Sequence, residues 1–132
     1  MCLNVPSNEN AAMPTQTPLE RDISDAIVRF EKEYMGRGPL QARTFVLGDL
    51  VLVRLGDVLT PAEHKLAEAE TRERGRYLIK QMRQELLERG RPLLEAIVRD
   101  VLKAEVVSLH TDISTKTGER IIVFTLDRTI TQ

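Results

Sequence analysis

Three arginines stand where a small anion could be held. Arg37 lies in a glycine turn, Gly36-Arg37-Gly38-Pro39, while Arg43 and Arg54 flank the pair Gly48-Asp49. Glycine at the first position of a two-residue loop suits a type II′ hairpin. With that turn, Leu47 faces Leu50, Phe45 faces Leu52, and Arg43 faces Arg54. Like charges directly opposed across two strands repel. An anion between them reverses the sign, because guanidinium groups hold carboxylate or phosphate through paired N–H donors. Arg37 could add a third donor set, so the chemistry would be capture of a small anion or nucleotide. The competing reading pairs Arg43 with an internal carboxylate or helix-end carbonyls and lets Arg54 reach water. It gains from the position of the glycine turn, after a helix C-terminus whose dipole repels anions. Gly36-x-Gly38 is not a phosphate loop: it lacks Gly-Lys-Ser/Thr and follows a helix rather than a strand.

His110 and Asp112 alternate on one strand face and form a second polar site, with Ser108 beside them. A zinc site needs at least three protein ligands, and the only other histidine, His64, lies on a separate helix. No Gly-x-Ser-x-Gly elbow supports Ser108 as a nucleophile. Neither a catalytic residue nor a metal centre is assigned, and no cofactor is expected. A polar patch on a partly exposed sheet face accounts for these residues. Between Arg72 and Arg91, seven Lys/Arg stand against three Glu, with Arg72, Arg76, Lys80 and Arg83 at helical spacing. Such a stripe can track phosphates. With one aromatic nearby, Tyr77, and no helix-turn-helix or RNA-binding motif, a solvated face is the better reading. Nucleic acid is not the expected partner.

These residues must be positioned by regular elements. Thr17-Pro18-Leu19-Glu20 is a capping box with proline at the first helical position. Apolar residues at Leu19, Ile23, Ala26, Ile27, Phe30 and Tyr34 then form a helical stripe that should end at Gly36. Arg43–Leu47 and Leu50–Leu55 make the first hairpin, the second strand apolar on both faces except at Arg54. Thr60-Pro61-Ala62-Glu63 opens another helix, exposed or irregular from Glu68 to Arg76, which Gly90-Arg91-Pro92 should break or kink. A shorter helix follows through Leu94, Ile97 and Val101. The second hairpin, Glu105–Ile113 and Arg120–Asp127, is best joined by the four-residue loop Thr115–Gly118. That register places Val107, Leu109 and Ile113 with Ile122, Phe124 and Leu126 on one apolar face. The order is αββααββ, an α+β fold with a four-stranded antiparallel sheet and helices on one face.

The chain has 132 residues, a single-domain length, with 19 Lys+Arg against 20 Asp+Glu. So balanced a charge gives no global field for nucleic acid or an anionic membrane. The polar stretch 1–17 is expected to be a disordered tail, leaving 18–132 as one domain. Cys2, the one cysteine, excludes an intrachain disulfide framework and fits a cytoplasmic setting. No apolar run is long enough to span a membrane, and the start has no signal-like apolar core.

Three stretches carry a family resemblance: Tyr34-Met35-Gly36-Arg37-Gly38-Pro39-Leu40-Gln41-Ala42-Arg43-Thr44, Leu59-Thr60-Pro61-Ala62-Glu63, and Val106–Ser114 with Thr117-Gly118-Glu119. Together they resemble the bacterial MpsC-type family over about Ile23 to Arg128. Met35, where an aromatic is common, and Gly90-Arg91-Pro92 depart from the pattern. The resemblance implies a place beside a sodium-translocating, membrane-potential-generating system linked to inorganic carbon uptake. It implies no catalytic step. The reading is therefore a small accessory or regulatory protein rather than an enzyme, acting by binding to a membrane transport or signalling component. Apolar residues expected on the second sheet face, Val51, Val53, Ile121 and Val123, point to a homodimer. The alternative is a sensor of a small anion or nucleotide bound by Arg37, Arg43 and Arg54.

Overall fold

The computed structural model describes residues 15–68, 70 and 72–132, for residue 72 the backbone alone. Three helices, α1 (Pro18–Tyr34), α2 (Pro61–Glu68) and α3 (Arg72–Leu102), accompany four strands, β1 (Gln41–Leu47), β2 (Leu50–Gly56), β3 (Val106–Ile113) and β4 (Arg120–Leu126). The order is αββααββ, and the sheet runs β1-β2-β4-β3 with every neighbour antiparallel. This is the α+β architecture that the periodicity implies.

Local signals place the ends. Thr17 accepts from the Glu20 N–H while the Glu20 carboxylate accepts from the Thr17 N–H, closing the capping box at α1. Thr60 and Glu63 repeat it at α2. After α1, the N–H groups of Met35 and Arg37 both reach the Glu31 carbonyl, and Gly36 turns at φ 93°. In the first hairpin Gly48 has φ 68° and Asp49 is not left-handed, as a type II′ turn requires. The second hairpin closes from the Ser114 N–H to the Glu119 carbonyl at 2.8 Å, so its loop has four residues.

One face of the sheet is the core. Val46, Val51, Val53, Leu55, Ile122, Phe124 and Leu126 lie beneath Ile23, Ile27 and Phe30 of α1 and Ile79, Leu87, Leu94 and Val98 of α3. No helix among the described residues is long and apolar enough to cross a membrane.

Four details correct the sequence expectations. α2 ends at Glu68 and α3 begins at Arg72, and α3 runs unbroken through Gly90, Arg91 and Pro92. Gly90 is the point where α3 meets α1: a Cβ there would stand 2.8 Å from Phe30 Cζ and 3.0 Å from Tyr34 Cε2. It is a contact notch, not a breaker. Val51 and Val53 belong to the core rather than to the second face, at 0% exposure. A bulge between Val106 and Ser108 turns Val106 inward beside Leu126 and leaves Val107 66% exposed. Arg83 is buried, so it is no part of a solvated basic stripe. Of the expected tail, residues 1–14, Cys2 included, lie outside the described residues. Gln16 accepts from the Thr44 N–H at 2.7 Å and the Ser24 hydroxyl at 3.1 Å.

Candidate functional site

Strand alternation leaves the other sheet face without a helix over it among the described residues. Read across the registers, one row is Arg43–Arg54–Ile121–Asp112, the next Phe45–Leu52–Val123–His110, and the third Leu47–Leu50–Thr125–Ser108. Phe45, Leu50, Leu52, Ile121 and Val123 are half-buried, and Leu47 is 60% exposed. The result is an apolar centre with arginines at the β1–β2 side and His110 and Asp112 at the β3 side.

The predicted site residues are placed as follows. Arg43 and Arg54 do face each other across β1 and β2. Arg43 lies 5.7 Å over the Phe45 ring, and Arg54 forks onto Glu119 Oε2 through Nε and Nη2 at 3.1 and 2.5 Å. Arg37 is held elsewhere, at the end of β2, by the Leu59 carbonyl and the Asp57 carboxylate, the latter 3.8 Å away. Asp57 also meets His64 Nε2 at 2.9 Å. His110 Nε2 lies 3.3 Å from the Ser108 hydroxyl, and Asp112 accepts from Lys80 at 3.2 Å and the Ile113 N–H at 2.8 Å. The Ile113 N–H, with Lys80, holds the Asp112 carboxyl below its ordinary value. Among the described residues no group of three His, Cys, Asp or Glu is arranged to hold a metal ion.

The three sequence stretches that carry the resemblance converge at one end of the sheet. Arg37 from the first donates to Leu59 of the second, and the Val58 N–H donates to Gly118 of the third at 2.8 Å. Gly118 is required there: φ is 79°, and a Cβ would stand 2.5 Å from Asp57 Oδ1.

Beneath this end lies a buried ionic network that the spacing of single motifs did not reveal. Arg83 Nε and Nη2 fork onto the Glu63 carboxylate at 2.9 and 2.7 Å, and Nη2 also donates to the Val58 carbonyl. Arg120 Nη1 reaches Glu31 Oε2 at 3.4 Å. All four side chains are nearly sealed, Arg120 at 2% and Glu31 at 0% exposure. Burial pushes the Glu31 carboxyl up despite Arg120 and Arg83 nearby, and burial lowers Arg120 despite Glu31. For Glu63, burial pushes upward too, but the Arg83 fork and the Thr60 N–H outweigh it and hold the carboxyl down. The available signal was a charge inside an apolar stripe: Glu31 shares the α1 face of Ile23 and Ile27, and Arg120 the β4 face of Ile122 and Phe124.

Arg83 and Arg120 also line a cleft of about 360 Å³ between α3 and the edge strand β3, to which α3 adds Lys80 and Arg91 and β3 adds His110 and Asp112.

A family model described as "Na+-translocating membrane potential-generating system (MpsC)" matches residues 15–128. The uncharacterized protein YbcI of Bacillus subtilis (strain 168) is 41% identical over 108 residues, which are 82% of this chain and 85% of that protein. No solved structure matches. With a match that runs from just before the α1 cap to just past β4, the chain belongs to the MpsC family.

Proposed function

We propose that this protein is a non-catalytic accessory or regulatory component of a sodium-translocating, membrane-potential-generating system, and that it works as a homodimer closed through its open sheet faces. The observation that carries this reading is the uncovered row of Phe45, Leu52 and Val123 with its charged borders. Fully burying one such side chain is worth about 1.5–3 kcal/mol relative to leaving it exposed. Contiguous apolar surface of this kind marks an interface.

A second copy fits by charge. A two-fold axis parallel to the strands, midway between β2 and β4, lays β1 of one copy over β3 of the other. Arg43 then meets Asp112 of the second copy, Leu52 meets its Val123, and Phe45 meets its His110. The patch is self-complementary, as an isologous interface must be. Two packed sheets at the usual inclination of about −30° would complete a sandwich with helices outside.

Sedimentation velocity on the purified chain tests it. The wild type should sediment as a dimer of a 15.0 kDa chain and Leu52→Arg as a monomer. In a deletion strain followed with a voltage-sensitive dye, the wild type should restore the sodium-dependent potential and Leu52→Arg should not. A monomeric wild type, or full complementation by a monomeric variant, overturns the reading.

A second reading, a sensor of a small anion or nucleotide, has one supporting observation, the direct opposition of Arg43 and Arg54. Glu119 and Asp57 already engage Arg54 and Arg37, which favours the first reading.

A further inference from the structure

We propose that the cleft between α3 and β3 binds a small doubly charged oxyanion on the guanidinium groups of Arg83 and Arg120. This site is separate from the Arg37, Arg43 and Arg54 set, although its outer rim, His110 and Asp112, also borders the sheet face of the proposed dimer.

The donors are buried and under-used. Arg83, 3% exposed, turns one edge to Glu63, and its Nη1 has no hydrogen-bond partner among the described residues. Arg120, 2% exposed, makes its bonds to Glu31 and to the Thr111 hydroxyl at 3.4 Å, the long end of the range. Buried polar groups are nearly always satisfied, and an unmet charged donor is among the costlier exceptions. The wall that faces the cleft is cationic. Lys80, Arg83, Arg91 and Arg120 line it, against the carboxylates of Glu88 and Asp112, which Arg91 and Lys80 engage. Glu31 and Glu63 are not part of the lining; they sit behind the guanidinium groups.

Size narrows the class. A cleft of about 360 Å³ lies at the lower end of small-ligand sites, enough for a compact anion and too small for a dinucleotide. Two cations that present N–H groups to one space match a doubly charged oxyanion such as phosphate or a short dicarboxylate, by charge-assisted bonds.

Isothermal titration of the full chain, at fixed ionic strength, uses inorganic phosphate in one arm and succinate in the other. One of them should bind saturably at one site per chain, and the arm that does so identifies the anion's chemistry. Arg83→Lys keeps a cation for Glu63 but removes Nη1, and should weaken that binding about tenfold or more. Arg76→Ala, an exposed cation on the same helix, should change it less than about twofold. Should Arg83→Lys fail to fold, Lys80→Ala combined with Arg91→Ala serves in its place, again with a loss of about tenfold. No saturable binding in either arm overturns the proposal. So does wild-type affinity in the cleft variants, or binding lost in Arg43→Ala and kept in Arg83→Lys.

Discussion

Arg83 and Glu63 meet through a two-pronged contact in which both side chains are more than nine-tenths buried. Glu63 serves two masters there, since the same carboxylate caps α2 by accepting from the Thr60 N–H at 2.9 Å. Removing one member of a buried pair strands the other charge, which costs about 3–5 kcal/mol. Glu63→Gln should therefore lose about that much stability in urea melts at pH 7, while keeping the side-chain shape. The sign with pH follows from the direction of the shift. Glu63 is held below its ordinary value of 4.5, so its contribution is complete above 4.5 and disappears as pH falls through the folded value. The gap between wild type and Glu63→Gln should thus narrow in acid. Glu31 acts with opposite sign: its value is raised, so the stability that it lends is greatest below 4.5 and declines as pH rises. A gap that stays constant from neutral to acid pH would show that Glu63 does not act as a carboxylate.

At the scale of elements, two glycines in α3 decide how the helices meet. A Cβ at Gly75 would stand 2.2 Å from the Leu66 carbonyl oxygen, which is backbone and cannot turn aside. At Gly90 the obstruction is the stacked Phe30–Tyr34 pair, with ring centroids 5.1 Å apart, whose side chains can shift. Alanine gains about 1 kcal/mol of helix propensity over glycine at either place, and overpacking costs about 1–3 kcal/mol. Gly75→Ala should therefore destabilise clearly and Gly90→Ala less, in thermal melts of the two single variants. Equal melting points would mean that α2 can retreat from α3. The same residues explain what the sequence can and cannot disclose. Capping at Thr17 and Thr60, the Gly48-Asp49 turn and the register of both hairpins are local properties, and they are legible. Whether Gly90 ends a helix or admits another one is decided by Phe30, sixty positions away, and no local pattern contains that information. Glu31 and Arg120 are farther apart still, so each reads as a lone charge in an apolar stripe until the fold brings them together. The bulge at Val107 has the same character, since alternation alone puts Val107 inward.

For the whole molecule, the decisive asymmetry is that the described helices cover one sheet face and not the other. The edges are treated unequally as well: at β1, Gln16 and Glu20 accept from the Thr44 and Val46 N–H groups, which closes that edge to further strands. Growth of the sheet sideways is thereby disfavoured on that side, and the apolar row on the open face favours stacking there over pairing at the β3 edge. The proposed two-fold makes a specific demand on charge. It brings Arg43 of each copy to Asp112 of the other, twice per dimer, at the ends of the row that carries Arg54 and Ile121. Arg43→Asp alone places like charges at both contacts, and Asp112→Arg alone does the same with the opposite sign. Each should weaken the dimer, and the double exchange Arg43→Asp with Asp112→Arg should recover it. Partly exposed pairs of this kind are worth about 0.2–1 kcal/mol each, so the single variants should shift the dimer dissociation constant by about tenfold at low salt and less at high salt. Lys80, 3.2 Å from Asp112, would compete for the carboxylate, and Lys80→Ala should therefore tighten the wild-type contact slightly. Recovery in the double variant would fix the direction of the two-fold, because an axis perpendicular to the strands would not pair these two positions. Additive loss would leave the apolar face in need of a different occupant.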